Sequence, residues 1–381
     1  MDRGFRDVFK KVSLLPAILI LLLQVSISCS SGSGGNTEEP VPDPEPTVPT
    51  PLQWKKPAHF PDPVYDLSKN SLTVEGVMLG KFLFYDGILS RTNVIGCGTC
   101  HQQSSAFTHH GHELSHGVDD QLGVRNAPSV QNMAWNKSFF WDGNVHALDS
   151  VPLNPILNKV EMDETMDNIL VKLRATPNTT SKVAVDYPKM FKAAYGTTEI
   201  NSERVRKALS QFMVTMVSAS SKYDYYVLGD QAALTTEEKA GMAIFKQKCS
   251  SCHAGELFTD FSYRNNGLPP IKINDQGRYS ITKNEADRYK FKVPGLRNVG
   301  LTAPYMHDGR FVTLEQVLNH YTDNMQSSVT LDDIFKLPTG KAGISLTAAE
   351  KQNIILFLRT LSDDQFIRSA ELADPGVGNA F

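Results

Sequence analysis

At 381 residues the chain has room for two domains once its N-terminus is set aside. Its net charge of −3 gives no electrostatic reason to bind nucleic acid or another polyanion. Its five cysteines fall as two close pairs and one outlier, Cys29.

Arg3, Arg6, Lys10 and Lys11 form a basic head, followed by an apolar run from Val12 to Ile27 that Pro16 interrupts. The run is too short and too poorly flanked for a membrane span and suits an export signal over residues 1–28. Ser26-Ile27-Ser28-Cys29 resembles a relaxed lipobox, which would place a lipid on Cys29 and hold the mature chain to a bacterial membrane by that anchor alone. The alternative is an ordinary signal peptide with an unpaired Cys29. Residues 29–57 open on Ser/Gly and continue as alternating Pro and acidic residues, a composition that buries no core and predicts a tether.

Leu79, Phe82 and Leu83 recur at helical spacing just before Cys97-Gly98-Thr99-Cys100-His101. Cys249-Ser250-Ser251-Cys252-His253 repeats the pattern. Cys-x-x-Cys-His is the attachment signature of c-type haem: two thiols bond the porphyrin vinyl groups and the adjacent histidine ligates the iron. Zinc and disulfides are the alternatives, but a zinc ribbon sets its pairs about 15–20 residues apart, and neither explains a histidine after both pairs. Two haem c groups are therefore expected, with His101 and His253 as proximal ligands.

His109, His110, His112 and His116 crowd the loop after the first motif. His109 and His110 suit a polar loop. A helix after Ser202 carries the stripe Val205, Ala208, Leu209, Phe212, Met213 and Met216, whose methionines belong to a core. Gly229 to Ala233 is the expected join. Thr235/Glu238 and Thr347/Glu350 are capping boxes for two further helices, the first bearing Gly241, Ile244 and Phe245, the second Ile354, Ile355, Phe357, Leu358 and Leu361. The expected fold is mainly α: a loose repeat of two c-type cytochrome domains with long loops, residues 58–228 and 229–381.

The order and spacing of further segments carry a resemblance. These are Leu79 to Asp86, Arg125 to Ser129, Phe140-Trp141-Asp142-Gly143, Val160-Glu161-Met162, Phe291 to Asn298 and Thr302 to Gly309. From about Leu79 to Leu361 the chain resembles the bacterial di-haem cytochrome c peroxidases of the MauG superfamily. The resemblance implies an N-terminal peroxide-binding haem and a C-terminal haem that relays electrons. It implies that Glu161 is the distal acid/base, a role suited to a carboxyl whose pKa burial raises. It implies that Trp141 mediates electron exchange between the haems. His116 approximates a resting-state distal ligand of the first haem. Many relatives carry Gln ten positions before the distal Glu, where this chain has Val151.

The family's second haem usually takes a Met fourteen positions beyond the His of His307-Asp308-Gly309; here that position is Tyr321, as in MauG and its closer relatives. An anionic tyrosinate would lower the potential relative to Met. Met306 and Met325 are its rivals. The resemblance also implies calcium between the haems, held by the Asn126 side chain and the carbonyls of Thr302 and Pro304, an oxygen set suited to a hard cation.

The expectation is a periplasmic, lipid-anchored peroxidase that reduces H2O2 with electrons from a small donor such as a monohaem cytochrome or cupredoxin. Homodimers occur in the family. A MauG-like oxidase acting on a protein or small molecule is the first alternative. A carrier with two closed haems is the second, and Glu161 argues against it.

Overall fold

Four helices of twelve residues or more lie where the periodicity places them among the described residues. They are α1 (Val74–Tyr85), α2 (Ser202–Thr215), α3 (Thr236–Lys248) and α4 (Ala348–Arg359). The computed structural model describes residues 48–175, 183–271 and 273–378. Each helix starts at a side-chain cap that satisfies orphan N–H groups. Thr73 accepts from Gly76 and Asn201 from Arg204, and Thr235/Glu238 and Thr347/Glu350 form full capping boxes.

The helices pack in pairs, α1 on α2 and α3 on α4. Both crossings are closed by a glycine. A Cβ on Gly80 would lie 1.9 Å from the Ala208 carbonyl oxygen, and one on Gly241 would lie 1.9 Å from that of Asn353. Beside them Phe84 meets Phe212 at 5.4 Å and Phe245 meets Phe357 at 5.2 Å between ring centres. The loose repeat of the sequence is thus a close repeat in space.

The described residues pack as one unit around two main apolar clusters, one per half. Tyr263–Arg264 (β1) pairs antiparallel with Phe291–Lys292 (β2), the one two-stranded sheet among the described residues.

Two expectations about boundaries need correction. The tether does not run free to residue 57. Thr50 hydrogen-bonds Glu75 through its N–H and hydroxyl, Pro51 bridges Thr73, and Leu52 and Trp54 pack on the first cluster. Burial of the indole against Trp135, at 5.8 Å, outweighs the local preference for an open chain. The tail of the second half also leaves its own core. Phe366, Leu372 and Val377 belong to the first cluster, and the Tyr85 hydroxyl donates to the Leu372 carbonyl at 2.6 Å.

No helix among the described residues is long and apolar enough to cross a membrane. Cys29 and the export signal lie outside the described residues.

Candidate active site

Both Cys-x-x-Cys-His segments are tight turns with matching bonds. The N–H groups of His101 and His253 reach the carbonyls of Cys97 and Cys249, each at 2.9 Å. The Nδ1–H of His101 donates to Phe107 O at 2.9 Å, and that of His253 to Phe258 O at 3.1 Å. A carbonyl only accepts, so the proton sits on Nδ1 and the Nε2 lone pair is left for a metal. Burial lowers both histidine pKa values and keeps the rings neutral. The four cysteines are free thiols, and burial pushes Cys97 and Cys249 up to about 12 and Cys100 to about 11. No disulfide joins either pair among the described residues. Zinc gains no support either: no three His, Cys, Asp or Glu side chains converge as metal ligands among the described residues.

Each motif opens on its own cavity. The first, about 600 Å3, is walled by Cys97, Cys100, His101, Trp141, Val151 and Glu161; His116 reaches it beside Cys100. The second, about 240 Å3, is walled by Cys249, Cys252, His253, Met306, His307 and Tyr321. Both walls are mostly apolar. A thiol pair, a neutral imidazole of fixed tautomer and an apolar cavity are what a covalently attached porphyrin needs, so the residues present fit the group.

Residues 126–143 and 292–309 share one backbone course in constant register. Phe139 N–H reaches Val145 O at 2.8 Å and Tyr305 N–H reaches Phe311 O at 2.6 Å. Phe140 and Met306 are both left-handed, at φ 64° and 74°, as are Asn132 and Asn298, at 52° and 59°. In this register Trp141 matches His307 and Asn126 matches Lys292. The copies interlock, with Lys292 N–H donating to Trp141 O and Asn126 N–H to His307 O, each at 2.7 Å. The Trp141 indole donates to Asn126 O at 2.9 Å. Trp141 lines both cavities. Asp142 beside it is held by Arg125, which also grips Asp275 of the other half.

The same register exposes an asymmetry. Where the second cavity has Met306 and Tyr321, the first has Phe140 and Pro155, neither able to bind a metal. Tyr321 sits in a π-turn, His320–Asn324. Its Oη accepts from Asn266 Nδ2 at 3.4 Å, and the same nitrogen lies 3.6 Å from Met306 Sδ. The hydroxyl and the thioether thus converge on one place. Burial pushes the phenol up to about 12. Met325 packs with Tyr321 against Leu331 and Phe335 and is not itself on the cavity wall.

Glu161 is half-buried on the first wall. Burial raises its pKa, partly offset by the Asn158 amide, which donates to Oε1 at 2.7 Å. Its main chain is fixed by Val118 N–H on Glu161 O at 2.7 Å. His116 pairs through Nδ1 with Asp120 at 2.8 Å and packs edge-on against His112. His109 is no polar-loop residue. It is buried and stacked on His112 at 4.2 Å, and desolvation pushes it down to about 4. The Asn126 amide donates to the carbonyls of His112 and Glu113, which leaves its oxygen as the atom for a cation; Asn126, Thr302 and Pro304 share the second wall.

Sequence reasoning missed Asn158, Asn266, Lys292 and Arg297. Lys292 and Arg297 lie in a segment that marked the family, but no residue type in it pointed to a role until the fold brought it to a cavity.

The family model for di-haem cytochrome c peroxidase matches residues 74–232. The methylamine utilization protein MauG of Methylorubrum extorquens is 33% identical over 318 residues, covering 81% of this chain and 83% of that one. The cytochrome c551 peroxidase of Nitrosomonas europaea is 35% identical over 75% of this chain and 80% of its own length. The crystal structure of a MauG-like protein associated with microbial copper homeostasis superposes with a TM-score of 0.76 at 30% identity, covering 85% of this chain and 99% of that one.

Proposed function

Since the chain belongs to the di-haem cytochrome c peroxidase family, which implies two haem c groups, we propose that it reduces H2O2 to water at the first cavity with electrons that enter through the second. The balance is H2O2 + 2e⁻ + 2H⁺ → 2H2O. The carrying observation is the asymmetry of the walls: the second has Met306 and Tyr321 side by side, while Phe140 and Pro155 stand in the first, where Glu161 and His116 are the groups that can act. When bound, haem supplies an iron that binds peroxide where a coordination position is open and stores an electron where both positions are filled.

Glu161 accepts a proton from one peroxide oxygen and returns it to the other. Its raised pKa and the Asn158 hydrogen bond suit that exchange. Val151, in place of the usual Gln, removes one polar group from the wall that carries Glu161. Trp141 carries electrons between cavities, its indole held by Asn126. His116 closes the first iron in the resting state, its Nε2 being the nitrogen that Asp120 leaves available. Tyr321 is the sixth ligand of the second iron. A calcium ion rests on Asn126, Thr302 and Pro304. Two cytochrome domains meet near Gly229, the first completed by Trp54 and by the tail that carries Phe366, Leu372 and Val377. Cys29 carries lipid and tethers the enzyme on the periplasmic side, where a small cytochrome or cupredoxin supplies electrons and a homodimer forms.

A steady-state assay with H2O2 and a reduced cytochrome tests the proposal. Turnover with loss of reduced donor is expected; no turnover from a protein carrying two haems overturns it. Tyr321 favours a second reading, a MauG-like oxidase that draws electrons from a protein or small molecule. Oxidation of an added substrate without a donor cytochrome would favour it.

A further inference from the structure

Lys292 is the one cation on the wall common to both cavities that has no partner of its own among the described residues. It follows Phe291 at the end of β2, and its N–H is fixed on the Trp141 carbonyl at 2.7 Å. It lines the first cavity and the second. No carboxylate or hydrogen-bond acceptor is within reach of its ammonium among the described residues. Desolvation alone accounts for its lowered pKa, about 8, with no opposing charge to restore it.

The arginines nearby are satisfied, and Lys248 lines the second cavity alone. Arg297, also on both walls, gives both Nη atoms to Asp224 at 2.9 and 2.8 Å and its Nε to Glu256 O. Arg125 is divided between Asp142 and Asp275. Arg264, on the second wall, pairs with Asp260 and Asp332. Glu161 faces the first cavity with Asn158 as partner, and His307 faces the second, stacked on Phe291 at 3.8 Å and pushed down to about 4 by burial.

A half-buried ammonium with no counter-ion, facing apolar walls, is costly. The group that each cavity suits carries carboxylates. We infer that Lys292 is the counter-ion of porphyrin carboxylate at the wall between the two cavities, and that its charge sets the potentials of both irons together. The inference rests on the di-haem reading. One positive charge near both sites favours the reduced, more negative state of each. Asn126 holds the matching position in the first half and is neutral, so this charge comes from the second half alone.

The test uses the full-length holoprotein and Lys292→Met, Lys292→Gln and Lys292→Arg. Spectroelectrochemical titration gives both potentials, and resonance Raman reports the propionate bending modes. Loss of charge is expected to lower both potentials by at least tenfold in the reduced-to-oxidised ratio, 59 mV for one electron. The bending mode of at least one haem should shift. Lys292→Arg should preserve both potentials. Neutral variants with two haems and unchanged potentials overturn the inference while leaving the di-haem reading intact. If neutral variants fail to load haem but Lys292→Arg loads, charge is required and the inference stands. If Lys292→Arg also fails, shape and not charge is what matters, and it falls. A protein whose mass shows no covalent haem would instead end the di-haem reading itself.

Discussion

Trp141 and His307 hold one position in two copies of the same backbone, and each gives its carbonyl to an N–H of the opposite half, from Lys292 and Asn126, at 2.7 Å. The scaffold is symmetric there and the side chains are not. The indole reaches both cavities; the imidazole reaches only the second. An indole yields an electron more readily than an imidazole, which is the basis of the electron-exchange role proposed for Trp141.

Glu161→Gln should keep both haems and slow peroxide cleavage about 10²–10⁴-fold, the usual worth of one acid/base group. Burial raises the Glu161 pKa, so the active carboxylate is lost as pH falls through a value above the ordinary carboxylate range. The rate of peroxide cleavage should show that acid limb in the unaltered protein and lack it in the variant. A near-normal stopped-flow rate would remove Glu161 from the chemistry.

Tyr321 and Met306 compete for one place beside Asn266. If the phenolate ligates, Tyr321→Phe changes the spectrum of the second haem and Met306→Leu does not. Tyr321→Met should then raise that haem's potential, because a thioether favours Fe(II). A sulfur-to-iron charge-transfer band in the unaltered protein would hand the position to Met306.

Asp224 ties three segments together, with Arg297 bound through both Nη atoms and His59 at 2.8 Å. Burial pushes its carboxyl up, but the Arg297 guanidinium overcomes this and holds it below the ordinary value. The pair therefore stabilises at neutral pH, and that contribution fades as pH falls below the ordinary carboxylate range. Asp224→Ala leaves Arg297 buried and unpaired, so chemical denaturation at pH 7 should show a loss of about 3–5 kcal/mol. A loss below 1 kcal/mol would mean that water replaces the carboxylate.

Gly241→Ala puts a methyl 1.9 Å from the Asn353 carbonyl and must push α3 from α4. A destabilisation of about 1–3 kcal/mol is expected from such overpacking. Gly80→Ala should behave alike at the α1–α2 crossing. Thermal melts of the two variants that match the unaltered protein would show that the crossings can relax.

Much of the fold was legible because its signals are local. The capping boxes at Thr235 and Thr347 and the stripe from Val205 to Phe212 need only neighbours in sequence. The haem motifs were legible because chemistry fixes their spacing. The engagement of Trp54 was not, because a proline-rich composition says nothing of what a distant Trp135 offers it. The pairing of Phe140 with Met306 was equally hidden, since it depends on backbone register between residues of unlike type. Lys292 lies in a segment that marked the family, but its role was hidden, for its meaning comes from the space it faces. His109 misled because a run of histidines looks polar until stacking buries one of them.

The halves of this chain are laced through one another. The last helical segment of the second half sends Phe366, Leu372 and Val377 into the first core, while Lys81 and Tyr85 hold that tail by its carbonyls at 3.1 and 2.6 Å. The N-terminal His59 reaches Asp224 and the second half's Arg297. The covalent join at the exposed turn around Gly229 is therefore only one of several links between them. A protease that cut there would yield a heterodimer of the chain's own fragments, and neither fragment alone would have a closed surface.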